Sequence, residues 1–74
     1  MSSNDLTNLT NSELNIFMYL IDGPADKKQI ELEMFYSDRT VDKAIKTLLD
    51  RNLIFYVKKK HDKTFKKIYH VYEE

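Results

Sequence analysis

The spacing of the apolar residues changes once along this chain, at Leu53. Before it, apolar side chains recur three and four positions apart, as on a helix face. After it, "LIFYVKKK" and "TFKKIYHVYEE" are rich in the β-branched and aromatic residues that favour strands. Helical segments followed by one pair of strands imply an α+β fold. At 74 residues the chain has room for one domain, which buries roughly 60% of the surface its unfolded form exposes. So small a core leaves little spare stability, and dimerisation is a natural supplement.

Within the helical part, Thr10 and Glu13 have the spacing of a capping box and predict a first helix over 11–22. Leu14, Phe17, Met18 and Ile21 form one apolar stripe on it, and Ile16, Tyr19 and Leu20 a second on the opposite side. A helix apolar on two sides must be covered on two sides, so the Ile16, Tyr19 and Leu20 stripe is the expected homodimer interface. The alternative cover is the N-terminal segment, where Leu6 and Leu9 stand among Ser, Asn, Asp and Thr. Residues 1–9 are expected to be flexible and 10–74 to form the domain.

The only glycine and the only proline, Gly23 and Pro24, end the first helix. Asp26 and Gln29 repeat the cap spacing before a short helix over 27–35, with Ile30 and Met34 one turn apart. Asp26, Glu31 and Glu33 are expected on a solvated face. Ser37 caps a third helix over 38–51. Its apolar face is Val41, Ala44, Ile45 and Leu48, and its polar face carries Arg39, Thr40, Lys43, Lys46, Thr47 and Asp50. Asn52 suits the left-handed conformation that ends a helix. "HDK", residues 61–63, is the expected turn of the hairpin, and its parity decides which strand residues share a face.

Formal net charge is zero, but it is unevenly spread. Residues 1–37 carry six Asp or Glu against two Lys, a net −4. Residues 38–74 carry ten Lys or Arg against six Asp or Glu, a net +4. Six of the ten residues 58–67 are lysine, around the tip of the predicted hairpin, where an anionic partner would meet them. The other reading is that they blunt an exposed sheet edge. Phe65 beside them is either a core residue of its strand or a ring that stacks on or between bases.

Several classes of function find no support in the residues. With no cysteine there is no disulfide framework and no thiolate zinc site, as suits a reducing compartment. His61, Asp62 and His70 lack the spacing of a ligand set, so neither metal nor cofactor is expected. One glycine cannot make a phosphate-binding loop, and no nucleophile, base and orienting group recur at a catalytic spacing. A non-enzymatic protein is expected. No apolar run approaches the roughly 20 residues that span a bilayer, and the start lacks a leader's basic and apolar regions. A cytoplasmic location is expected.

The order helix, helix, helix, hairpin resembles the winged helix-turn-helix superfamily of small bacterial, archaeal and phage repressors. The resemblance is carried by "IELEMFYSDRTVDKAIKTLLDRNLI", residues 30–54, together with "IYHVYEE" as a last strand, and it covers residues 10–73. Ile30, Met34, Tyr36, Val41, Ile45 and Leu48 fall at its core positions. Two positions depart from it: Phe35 stands where glycine is usual in the turn, and Glu31 where alanine usually faces the third helix. The resemblance implies a partner in double-stranded DNA and a sequence-specific repressor acting as a homodimer. Ser37, Arg39, Thr40, Lys43, Lys46 and Thr47 of the third helix would enter the major groove, and Lys58, Lys59, Lys60, Lys63, Lys66 and Lys67 would lie on the phosphate backbone. Two alternatives remain: a module of the same fold that binds a protein, such as a viral or mobile-element inhibitor of a host factor, and an origin-binding replication component.

Overall fold

The structure is a computed structural model and describes residues 9–72. Three helices, α1 (Asn11–Asp22), α2 (Lys27–Met34) and α3 (Asp38–Asp50), precede the strands β2 (Ile54–His61) and β3 (Thr64–Val71). A two-residue strand, β1 (Ala25–Asp26), lies between α1 and α2. The sheet is antiparallel with order β1-β3-β2, which leaves β2 at one edge. This is the winged-helix architecture. The expected flexible segment falls outside the described residues except for Leu9, which is partly buried against the core.

Each helix starts where a side chain can hold its unsatisfied N–H groups. The Glu13 N–H donates to the Thr10 hydroxyl at 3.3 Å while the Thr10 N–H donates to the Glu13 carboxylate at 3.0 Å, closing the capping box. The Asp26 carboxylate accepts from the Gln29 N–H at 2.7 Å, and the Ser37 hydroxyl from the Thr40 N–H at 3.2 Å. The end of α2 needs a left-handed residue, and Phe35 supplies it at φ 59°, with its N–H bonded to the Glu31 carbonyl at 2.9 Å. The turn therefore has the geometry of a glycine turn although no glycine is present. Asn52, also at φ 59°, ends α3 as expected.

The core draws on every element: Ile16 and Leu20 from α1, Ile30 from α2, Val41, Ala44, Ile45 and Leu48 from α3, with Leu53, Ile54 and Tyr69 closing it from the sheet side. This corrects the expected dimer interface. Ile16 and Leu20 are 0% and 2% exposed inside the chain's own core, so they are not available to a second copy. Tyr19 is half-buried, and its hydroxyl accepts from the Gln29 side chain at 3.0 Å. The open side of α1 is instead the stripe of Met18 and Ile21, at 55% and 56% exposure. Of the other stripe, Phe17 packs against the core, whereas Met18 and Ile21 stay outside it.

Two features of the sheet were not readable from residue types. Pro24 restricts Gly23 to extended backbone, φ 173° and ψ 154°, so the chain leaves α1 straight and Ala25 and Asp26 pair with Tyr69 and Ile68. The hairpin register runs from Ile54 opposite Val71 to His61 opposite Thr64. Asp62 and Lys63 remain as a two-residue turn, with Asp62 at φ 54°. The turn is thus one residue shorter than "HDK", which settles the parity of the hairpin. Among the described residues no helix is long and apolar enough to cross a membrane.

Candidate nucleic-acid interface

Four buried residues of α3 fix which of its side chains face outward. Opposite Val41, Ala44, Ile45 and Leu48 stand Arg39, Lys43 and Lys46, all exposed, with Asp50 at the end of the row. Three cations thus share one ridge. Thr40 and Thr47 are half-buried on the flank toward α1, where Arg39, Thr40 and Lys43 border a cleft of about 340 Å³ with Thr10, Ser12 and Glu13. The Ser37 hydroxyl donates to the Thr40 hydroxyl at 3.0 Å while accepting from its N–H, so both residues serve the helix cap. The expected group therefore divides: Arg39, Lys43 and Lys46 project, whereas Ser37, Thr40 and Thr47 lie at the margin.

The other flank of α3 carries acid. Asp38 and Asp42 turn toward α2, and the Lys27 ammonium lies 2.5 Å from one carboxylate and 2.9 Å from the other, with Glu31 at 4.0 Å. Hydrogen bonds to Asp38 and then Asp42 raise the Lys27 pKa far above its ordinary value. The same lysine holds Asp38 below the usual carboxylate range. Loss of hydration and then the adjoining Asp38 raise Glu31. Sequence spacing shows only the Lys27–Glu31 pair at i,i+4; the rest depends on how α2 crosses α3. Glu31 thus joins a cluster between helices rather than a solvated face.

The hairpin register sorts its lysines. Residues paired across the strands point the same way, so Lys58, Lys60 and Lys67 share a face with Tyr56, Phe65 and the core residue Tyr69, the face turned toward the helices. Lys59 and Lys66 lie on the opposite face with Val57 and Ile68, and Lys63 stands in the turn. Lys66 pairs with Asp26 at 2.9 Å, and the Lys67 ammonium sits 4.8 Å from the Tyr56 ring centroid. Asp26 is accordingly not a solvated acid. Burial alone would raise its pKa, but the Gln29 N–H and Lys66 outweigh that and hold it below the ordinary value. At the base of the opposite face Phe55 stacks on His70 at 5.2 Å and meets Tyr72 at 4.9 Å.

Beside the hairpin lies a cleft of about 390 Å³, walled by Asp26, Lys27 and Lys28 at the start of α2 and Asp42 of α3 on one side and by Phe65, Lys66, Lys67 and Tyr69 of β3 on the other. Burial, and secondarily the Asp42 charge, raises the Tyr69 hydroxyl above an ordinary phenol. Phe65 is 68% exposed at the cleft's outer end, so it is no part of the core. Among the described residues no group of three or more His, Cys, Asp or Glu could hold a metal ion.

No protein-family model matches the chain, and no curated protein matches it. Solved structures do. The chain is similar to a possible transcriptional regulator from Methanosarcina mazei Go1, with TM-score 0.80 and 21% identity over 90% of this chain and 59% of that one. It is similar to a cysteine-to-serine mutant of Lactococcus lactis ZitR, with TM-score 0.81 and 25% identity over 99% of this chain and 49% of that one. Bacillus subtilis PadR in complex with operator DNA matches with TM-score 0.68 and 23% identity over 82% of this chain and 40% of that one. The chain thus spans about two fifths to three fifths of the length of these proteins. The likeness establishes the winged-helix fold that the helix-turn-helix residues suggested.

Proposed function

We propose that this chain binds double-stranded DNA, as a non-enzymatic transcriptional regulator of the repressor type. The observation that carries the reading is a pair of exposed cationic surfaces: the Arg39, Lys43 and Lys46 ridge on α3, and Lys58, Lys60 and Lys67 on the helix-facing side of the hairpin. In helix-turn-helix recognition the second helix of the motif reads base edges in the major groove. Here that helix is α3. Arg39 and Lys43 suit guanine edges and Lys46 a phosphate. The hairpin then follows the adjoining backbone, where lysines position the protein without reading sequence. Operator-bound PadR has the same fold, which supports DNA as the partner class. So does the description of the Methanosarcina protein as a possible regulator.

A homodimer would present two α3 helices to half-sites roughly 34 Å apart. The apolar surface free for it on α1 is Met18 and Ile21. A module that binds another protein is favoured by one observation, the exposure of Leu32 and Phe35 at 67% and 92% on the α2 side.

Gel shifts on genomic and random DNA at about 50 and 200 mM salt test the reading. Wild type should bind with log K falling by about 0.9 per phosphate contact for each unit of log salt. With about four to six contacts per subunit, binding should weaken steeply between the two salt conditions. Changing Lys58 and Lys60 to glutamate should abolish the shift without lowering the melting temperature. Binding that is flat with salt, or unaffected by the charge reversal, would sink the proposal.

A further inference from the structure

Phe65 is an apolar ring set among lysines. It is the second residue of β3, opposite Lys60, with Lys66 and Lys67 following it and Lys63 in the turn before it. Strand alternation places it on the face turned toward the helices, the face of Lys58, Lys60 and Lys67. The helices border it across the cleft through Lys28 and Asp42 but do not bury it: on that face the buried core ends at Tyr69, four residues along β3 from Phe65 and away from the tip. Nor, among the described residues, does it join the ring pairs of the sheet, which involve Phe55, Tyr56, Tyr69, His70 and Tyr72. At 68% exposure it contributes little to folding and places an aromatic surface in water.

Its position relative to the body gives it reach. β1 pairs with β3 no farther out than Ile68, so beyond that point the hairpin is a two-stranded ribbon. The four-residue step from Ile68 to Thr64 carries it about 13 Å outward at the rise of a strand. A ribbon tip of that kind can enter a minor groove too narrow for an α-helix. With the Arg39, Lys43 and Lys46 ridge of α3 in the major groove, the backbone strand separating the two grooves would run between that helix and the hairpin, and Phe65 would stand on the minor-groove side of it.

We propose that Phe65 is a minor-groove wedge: its ring inserts against a base step while Lys58, Lys60 and Lys67 on the same face hold the flanking phosphates. Apolar side chains used this way part a base step and bend the duplex by roughly 20–90° toward the major groove. The lysines supply charge complementarity to DNA, and the ring supplies an attraction that no salt screens. Flexible pyrimidine–purine steps unstack most easily, so the wedge selects such a step without any hydrogen bond to a base edge. This deepens the DNA-binding reading and rests on it.

The test uses the full chain and duplexes recovered by wild type from a random pool, labelled at both ends so that energy transfer reports the bend. Phe65→Ala should bind about tenfold more weakly and leave the duplex straight, with the slope of log K against log salt unchanged. Phe65→Leu, still apolar, should keep most of the bend. Melting curves check that both variants fold. Equal affinity and bend for Phe65→Ala and wild type would overturn the wedge and leave DNA binding standing. A change in salt slope with the bend intact would make Phe65 a support for lysine placement and would also overturn it. No binding of any duplex by wild type at low salt would overturn the DNA-binding reading and the wedge together.

Discussion

At the scale of single residues, Phe35 stands out because its backbone and side chain both work against stability. A non-glycine residue in the left-handed region costs on the order of 1–3 kcal/mol, and a side chain 92% exposed recovers almost none of it by packing. Phe35→Gly should therefore raise stability by about 1 kcal/mol, seen as a higher urea midpoint with an unchanged slope. A lower midpoint would show that the ring packs on something in solution. The helix-turn-helix pattern marked this position as a departure, and the conformation there is the one the pattern demands. Ile16 was less legible. Its helical position was readable, but which side of α1 faces inward depends on where α2 and α3 dock, and local spacing carries no information about that.

Among the elements, the helices were legible because their caps are local chemistry: Thr10, Asp26 and Ser37 each satisfy an N–H three residues on. The hairpin strands were legible from their composition. β1 was not, since two residues have no pattern, and its pairing to β3 is a tertiary fact. Asp26 joins these elements, capping α2 while holding Lys66 of β3. Asp26→Asn keeps the cap, asparagine being an equal acceptor, and removes only the ion pair, for a loss below about 1 kcal/mol. Asp26→Ala removes both and should lose about 1 kcal/mol more. The carboxyl's pKa is depressed in the folded chain, so its contribution is present above the ordinary value of 3.8 and is lost as pH falls through the lower folded value. Unfolding followed between about pH 5 and 2 should show an acid-labile component in wild type that Asp26→Asn lacks. Matching pH profiles for the two would show the ion pair to be inert.

For the whole molecule, the zero net charge conceals an acidic half and a basic half. Such a chain attracts copies of itself, basic patch to acidic patch, when salt is low, through forces that fade beyond a Debye length of about 10 Å at 0.1 M. Sedimentation velocity should show association near 10 mM salt that dissolves by about 200 mM. A dimer held by Met18 and Ile21 would persist instead, which separates the two modes. The candidate interface was only half legible at this scale. Its cations could be counted from the sequence, but their sharing between two hairpin faces depended on one residue of turn length. The Lys27, Asp38 and Asp42 cluster depended on a helix crossing.

The edge position of β2 has a consequence for the chain as a colloid. Among the described residues one side of that strand has no neighbouring strand, and it offers the peptide groups of "IFYV", a segment of high β-propensity with no charge of its own. The lysines that follow it repel other copies before their edges can meet. The charges proposed to hold DNA would therefore also guard the chain against fibre growth. A variant stripped of them to alanine would lose solubility along with any ligand, whereas one reversed to glutamate would keep its copies apart.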